Sequence, residues 1–177
     1  MSPRPTFRDH FTAVAATLIL SSGLASAEGP FARPPRGDAA ALERARAGAV
    51  RRLQAPECQK LLTDFTDPDG RTLLANLEAW QRSVPEYLER AILFLDGSRL
   101  PGCRKPTVIL VTSRGRLPVF VCPANARQGA SRFAEIERTN GALAEAMVIH
   151  EMLHTLGLGE NPPSNFEITE RVRARCR

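Results

Sequence analysis

Residues 148–163 read VIHEMLHTLGLGENPP and hold two of the three histidines in the chain. His150 and His154 stand four apart, so on a helix both imidazoles face the same way. Glu151 follows the first of them and points about 100° further round the axis. Val148, Ile149, Met152 and Leu153 between and before them are apolar, the pattern of a largely buried helix. Two imidazoles and a carboxylate are costly to bury without partners or a cation. The stretch is therefore either one turn of a core helix with satisfied histidines or half of a zinc site. In the second case the imidazoles hold the metal and the adjacent carboxylate accepts a proton from an activated water. Gly157 lies three residues past His154, where a helix can stop in a left-handed turn that sends the chain back.

Working outward, ALAEAMVIHEMLHTL is one long helix, preceded by ASRFAEIER from Ala130 with a break near Asn140-Gly141. Strand character lies further upstream in AILFLD (91–96), TVILVTS (107–113) and LPVFVCP (117–123), which are β-branched or aromatic runs between Gly and Pro. Arg114-Gly115-Arg116 reads as a hairpin tip in a small, mostly antiparallel sheet, with Leu117 to Cys122 as an edge strand beside a shallow docking groove. Upstream again, Asp38 is placed to cap a helix through AALERARAGAVRRLQ, with Leu42, Ala45, Ala49 and Leu53 on one face. Pro56 ends it and opens a short helix containing Cys58, Leu61 and Leu62. DPDG (67–70) is a turn rather than a calcium loop, because Phe65 occupies the first ligand position and no glutamate follows six residues after Gly70. A third helix covers Thr72 to Trp80. Helices, a small sheet, then helices make an α+β domain over 38–177, after an extended, proline-rich lead-in at 28–37.

The 177 residues are 43% hydrophobic and 24% charged, which fits one globular domain. Arg4 and Arg8, the apolar run Phe11 to Leu20 and Ala25-Ser26-Ala27 make residues 1–27 a secretory signal peptide cleaved after Ala27. That run is too short to span a bilayer, and no later stretch is apolar enough, so no stable membrane insertion is expected. The product is a soluble monomer, secreted or periplasmic. Net charge is +5, and +4 without Arg4, Arg8 and Asp9. The arginines are scattered, which reads as a solvated surface and not as a nucleic-acid patch. Cys58, Cys103, Cys122 and Cys176 favour two disulfides in an exported chain. Cys103 and Cys122 bracket the strand runs and would pin a hairpin base, leaving Cys58 with Cys176. No C-x-x-C spacing supports a cysteine metal site.

HEMLHTLGLGE resembles the extended motif of the zincin metallopeptidases. His150, Glu151, His154 and Gly157 coincide with the metzincin pattern H-E-x-x-H-x-x-G-x-x-H, and the resemblance covers residues 148–177. Glu160 replaces the final histidine and no methionine follows Met152, so the Met-turn of that family is missing. The resemblance implies a zincin-like fold, bound Zn2+, and hydrolysis of a peptide or protein substrate with Glu151 as general base. After loss of His10 with the leader, the third ligand must be a carboxylate or thiolate, and the cysteines are expected to be oxidised. Glu160 stands at the metzincin position, with Gly157 and Gly159 able to fold the chain back and Pro162-Pro163 to stiffen it. Glu167 and Glu170 are rivals. Ser164-Asn165-Phe166-Glu167 is a capping box, and Glu170 lies beside Arg171 and Arg173 on a solvated face. Tyr87, the single tyrosine, fits packing better than oxyanion binding. Two other functions share the motif: a non-catalytic, zinc-stabilised binding module and an amidase acting on cell-wall peptides.

Overall fold

A computed structural model describes residues 33–34, 36–123 and 132–177. The expected signal peptide, most of the lead-in, and Ala130 at the start of the ASRFAEIER helix lie outside them. Helix α1 (Arg36–Leu53) begins ahead of Asp38, so that residue is not the cap its position suggested. Asp38 sits instead in the first turn, buried, with Oδ1 lacking a hydrogen-bond partner among the described residues. Burial and nearby Asp96 push its carboxyl above the usual range. Leu42, Ala45, Ala49 and Leu53 form the inner face, as their spacing requires. Pro56 opens α2 (Pro56–Gln59), followed by α3 (Leu61–Asp64). DPDG is a turn, closed by the Asp67 amide on the Arg71 carbonyl at 2.8 Å. Thr72 then caps α4 (Leu73–Glu78), its hydroxyl accepting from the Ala75 amide at 3.2 Å. A capping box starts α5 (Val84–Glu86), which runs on into a wide turn at Tyr87–Ala91.

The sheet holds β1 (Leu93–Asp96), β2 (Leu110–Thr112) and β3 (Pro118–Val121) in the order β1-β3-β2. β2 and β3 are the expected antiparallel hairpin around Gly115, with Leu110 opposite Val121 and Thr112 opposite Val119. β1 and β3 run parallel, so the sheet is mixed and not mostly antiparallel. The connection after β1 is long enough, through a 3-10 turn at Pro101–Arg104, to carry β2 past the neighbouring slot, which β3 then fills. Two consequences follow for the site. Leu117 to Cys122 belongs to the central strand, paired on both sides, and is not an edge. The edge facing the helices is β2.

Helices α6 (Arg132–Thr139), α7 (Gly141–Thr155) and α8 (Asn165–Arg175) complete the fold. Asn140 breaks the first two and caps α7, Oδ1 accepting from the Leu143 amide at 3.1 Å. α7 is the central helix, with Ala144, Val148, Ile149, Met152 and Leu153 buried. Small residues on α1 let it lie close, since a Cβ on Gly48 would collide with the Glu145 carboxylate. That carboxylate pairs instead with Arg52 of α1. Disulfides join Cys103 to Cys122 and Cys58 to Cys176, the pairing read from the sequence. The second fixes the end of α8 to α2, beside Arg175 on Asp64 at 2.9 Å. No helix among the described residues is long and apolar enough to cross a membrane.

Candidate metal centre

The periodicity that buries Met152 and Leu153 in the core brings His150 and His154 together on another face of α7. Their Nε2 atoms lie 3.0 Å apart. His154 Nδ1 is 2.8 Å from the Leu158 carbonyl, which can only accept, so that nitrogen carries a proton and Nε2 is turned toward His150 and Glu160. His150 Nδ1 is 3.0 Å from the Thr169 hydroxyl on α8. Burial, then the neighbouring His154, push His150 down to about 3, so its ring is neutral near pH 7. Glu160 Oε1 approaches to 3.2 Å from His154 Nε2 and 3.8 Å from His150 Nε2. One ligand atom from each of the three residues lies within 4.8 Å of the others.

A donor set of two imidazoles and one carboxylate suits a divalent metal ion. The hydrogen bonds to both Nδ1 atoms leave the Nε2 atoms to face the carboxylate. Two ring nitrogens and a carboxylate oxygen thus converge on one small volume, an arrangement that a cation would satisfy. His150, His154 and Glu160 could therefore hold a metal ion. Comparison with protein-family models, with characterised proteins and with solved structures finds no match. The chemistry of the centre has to be read from the residues themselves.

A clamp of distant residues delivers Glu160. Two residues past the end of α7, Gly157 has a φ of 110° that turns the chain back, and the Gly157 and Leu158 amides return to the carbonyls of His154 and Leu153 at 3.0 and 3.1 Å. Leu158 is buried, so the loop that carries Glu160 also supplies the carbonyl that orients His154. Asn76 of α4 donates from Nδ2 to Asp67 Oδ2 and to the Leu156 carbonyl, both at 2.9 Å. Gly115, at the hairpin tip, donates its amide to the His154 carbonyl at 2.9 Å. Asn165 Nδ2 reaches Glu160 Oε1 at 3.3 Å. A Cβ at position 157 would meet Asn76 Nδ2 at 3.1 Å and Asp67 Cβ at 3.4 Å. Gly157→Ala should thus cost about 1–3 kcal/mol from backbone strain alone and weaken metal retention through the displaced loop. Denaturant unfolding of the metal-free protein and a metal titration check both, and unchanged values for both would contradict this account of the loop.

Glu151 is buried beside the group without joining it. Burial and the charge on Glu160 outweigh the Thr112 backbone amide that donates to it, and its carboxyl is pushed up to about 8. A cation held by the neighbouring histidines would favour the ionised form. Glu151 lines both recesses that flank the histidines, one of about 390 Å³ toward the hairpin tip and one of about 460 Å³ between the first half of α7 and the start of α8. The other two carboxylates are engaged elsewhere. Glu167 accepts from the Ser164 amide at 2.7 Å, and Glu170 pairs with Arg173 at 2.7 Å. Tyr87 is fully buried, its hydroxyl donating to Thr155 Oγ1 at 3.1 Å and its ring edge-on to Trp80. It is a packing residue. Thr169, Asn76, Asn165 and Arg114 were not singled out by sequence reasoning. Asn165 stands inside the capping box and Arg114 in the hairpin tip, patterns that mark local structure and not the site, while Asn76 and Thr169 have no local pattern to mark them.

Proposed function

We propose that this chain is a zincin-like, zinc-dependent peptidase, secreted or periplasmic, in which His150, His154 and Glu160 hold the metal and Glu151 is the general base. The observation that carries this reading is the position of Glu151: a buried carboxylate at the same cleft as the ligand group, yet outside it. A merely structural site has no use for such a group and ordinarily takes four protein ligands. Zinc held by the three residues would supply Lewis acidity to a water molecule and to the scissile carbonyl. Glu151 takes the proton released by that water and passes it to the leaving amine. His154 is kept in one tautomer by Leu158, and Thr169 holds the ring of His150. The paired disulfides suit an oxidising compartment.

The edge of β2 is the docking surface this reading uses, in place of the β3 edge expected from sequence. Leu110, Val111 and Thr112 run past Glu151 and His154, and an extended peptide added alongside them would pass the metal group. Ile109, Leu143 and Met147 make the wall of the larger recess apolar. Incubating the purified chain with a peptide library, with and without a chelator, tests the activity: cleavage lost on chelation and restored by zinc is the expected result. The ligand assignment has its own test in zinc stoichiometry. Glu160→Ala should lose zinc where Glu170→Ala keeps one per chain. Full occupancy in Glu160→Ala would overturn it.

A further inference from the structure

Arg114 is the single arginine or lysine among the described residues lining the recess that holds Glu151, His154 and Glu160. The recess on the far side of Glu151 has none. Several arginines elsewhere are matched to carboxylates, as in Arg44 with Glu137, Arg138 with Glu135, Arg173 with Glu170 and Arg175 with Asp64, and others, such as Arg116, stand away from this recess. Arg114 has no such partner among the described residues, although it stands in a neighbourhood that includes Asp64, Asp67 and Glu160. Arg175 occupies Asp64, while Asn76 and the backbone amides of Asp69 and Arg71 occupy Asp67. Glu160 is turned to the histidines. The backbone beneath Arg114 is fixed, because the adjacent Gly115 amide is bonded to the His154 carbonyl at 2.9 Å. Its guanidinium lies over Gly159, with Nη1 3.6 Å from where a Cβ would stand. A free guanidinium is thus held at the mouth of the metal cleft.

We propose that Arg114 binds a carboxylate of the substrate, which makes the cleft selective for anionic peptides. A guanidinium presents a planar fork of donors that matches a carboxylate with two parallel hydrogen bonds. No other arginine or lysine among the described residues lines this recess to attract an acidic peptide. Two sources share this chemistry: an acidic side chain a short way from the scissile bond, or a free C-terminal carboxylate. The inference rests on the peptidase reading for the word substrate, while anion binding at the cleft is measurable without turnover.

The probes are succinic monohydroxamic acid and its neutral primary amide, which carry the same metal-chelating group and differ in the distal charge. Calorimetric titration into the zinc-loaded chain should give roughly tenfold tighter binding of the acid. In zinc-loaded Arg114→Ala that preference should vanish, with zinc content reporting an intact fold. Equal binding by the parent chain, or a preference that survives Arg114→Ala, would overturn the proposal. Peptides then separate the sources: one with an internal Glu and an amidated end, the other with Gln and a free C-terminus. The class whose KM rises roughly tenfold more than the other's in Arg114→Ala is the one recognised, and equal KM changes in both count against the assignment. If neither peptide class is cleaved while the hydroxamate preference holds, the peptidase reading fails and the anion site stands.

Discussion

Glu151→Gln, loaded with zinc, should cleave peptides roughly 10²–10⁴-fold more slowly than the parent chain and keep its metal. The amide preserves the volume of the buried side chain and one oxygen that can still accept the Thr112 amide. It cannot take a proton. Since Glu151 stands outside the group of three convergent residues, zinc stoichiometry should not change. The two readouts together identify a general base: lost zinc would make Glu151 a ligand, and undiminished turnover would remove it from the reaction. The same variant separates hydrolysis from a zinc-stabilised binding role, because a binding module would not register the loss of a base.

Replacing Cys58 and Cys176 together by alanine should cost about 4–5 kcal/mol, the largest stability effect expected in the molecule. The bridge spans a sequence separation of 118 residues, so its removal frees a loop that holds every described element after α2 in the unfolded state. The Cys103–Cys122 bridge closes a separation of only 19 and should cost about 3 kcal/mol on the same argument. Against a usual domain stability of about 5–15 kcal/mol, the first loss leaves little reserve. Urea unfolding of the two double variants measures the difference. A smaller loss for the Cys58 and Cys176 pair than for the other would contradict the ranking, and alkylatable thiols in the purified parent chain would contradict both bridges.

The parts of the fold that were legible in the sequence are those written in local pattern. α7 follows from its apolar run and from Asn140, the start of α8 from Ser164 and Glu167, and the Asp67 turn from its Pro and Gly. The disulfide pairing was also legible, because Cys103 and Cys122 flank a hairpin. Strand order was not. Whether β1 pairs with β2 or β3 depends on a connection whose path is set by tertiary contacts, and a run such as LFLD reads the same in either slot. The cap at Asp38 was not borne out either. Helix α1 begins two residues further upstream, at Arg36, and the aspartate is buried within its first turn. At the candidate metal centre, the three convergent residues fall within positions 150–160 and could be seen together, whereas Asn76 and Thr169 come from α4 and α8.

The hairpin tip meets α7 through the amide of Gly115, a contact made by backbone and not by a side chain. Arg114 and Arg116, on either side of it, are exposed. On the proposed reading, chemistry and recognition are therefore separable in this molecule. Side chains at the tip are free to change over evolutionary time, retuning what the cleft accepts, while the backbone bond keeps the tip in place and the histidines undisturbed.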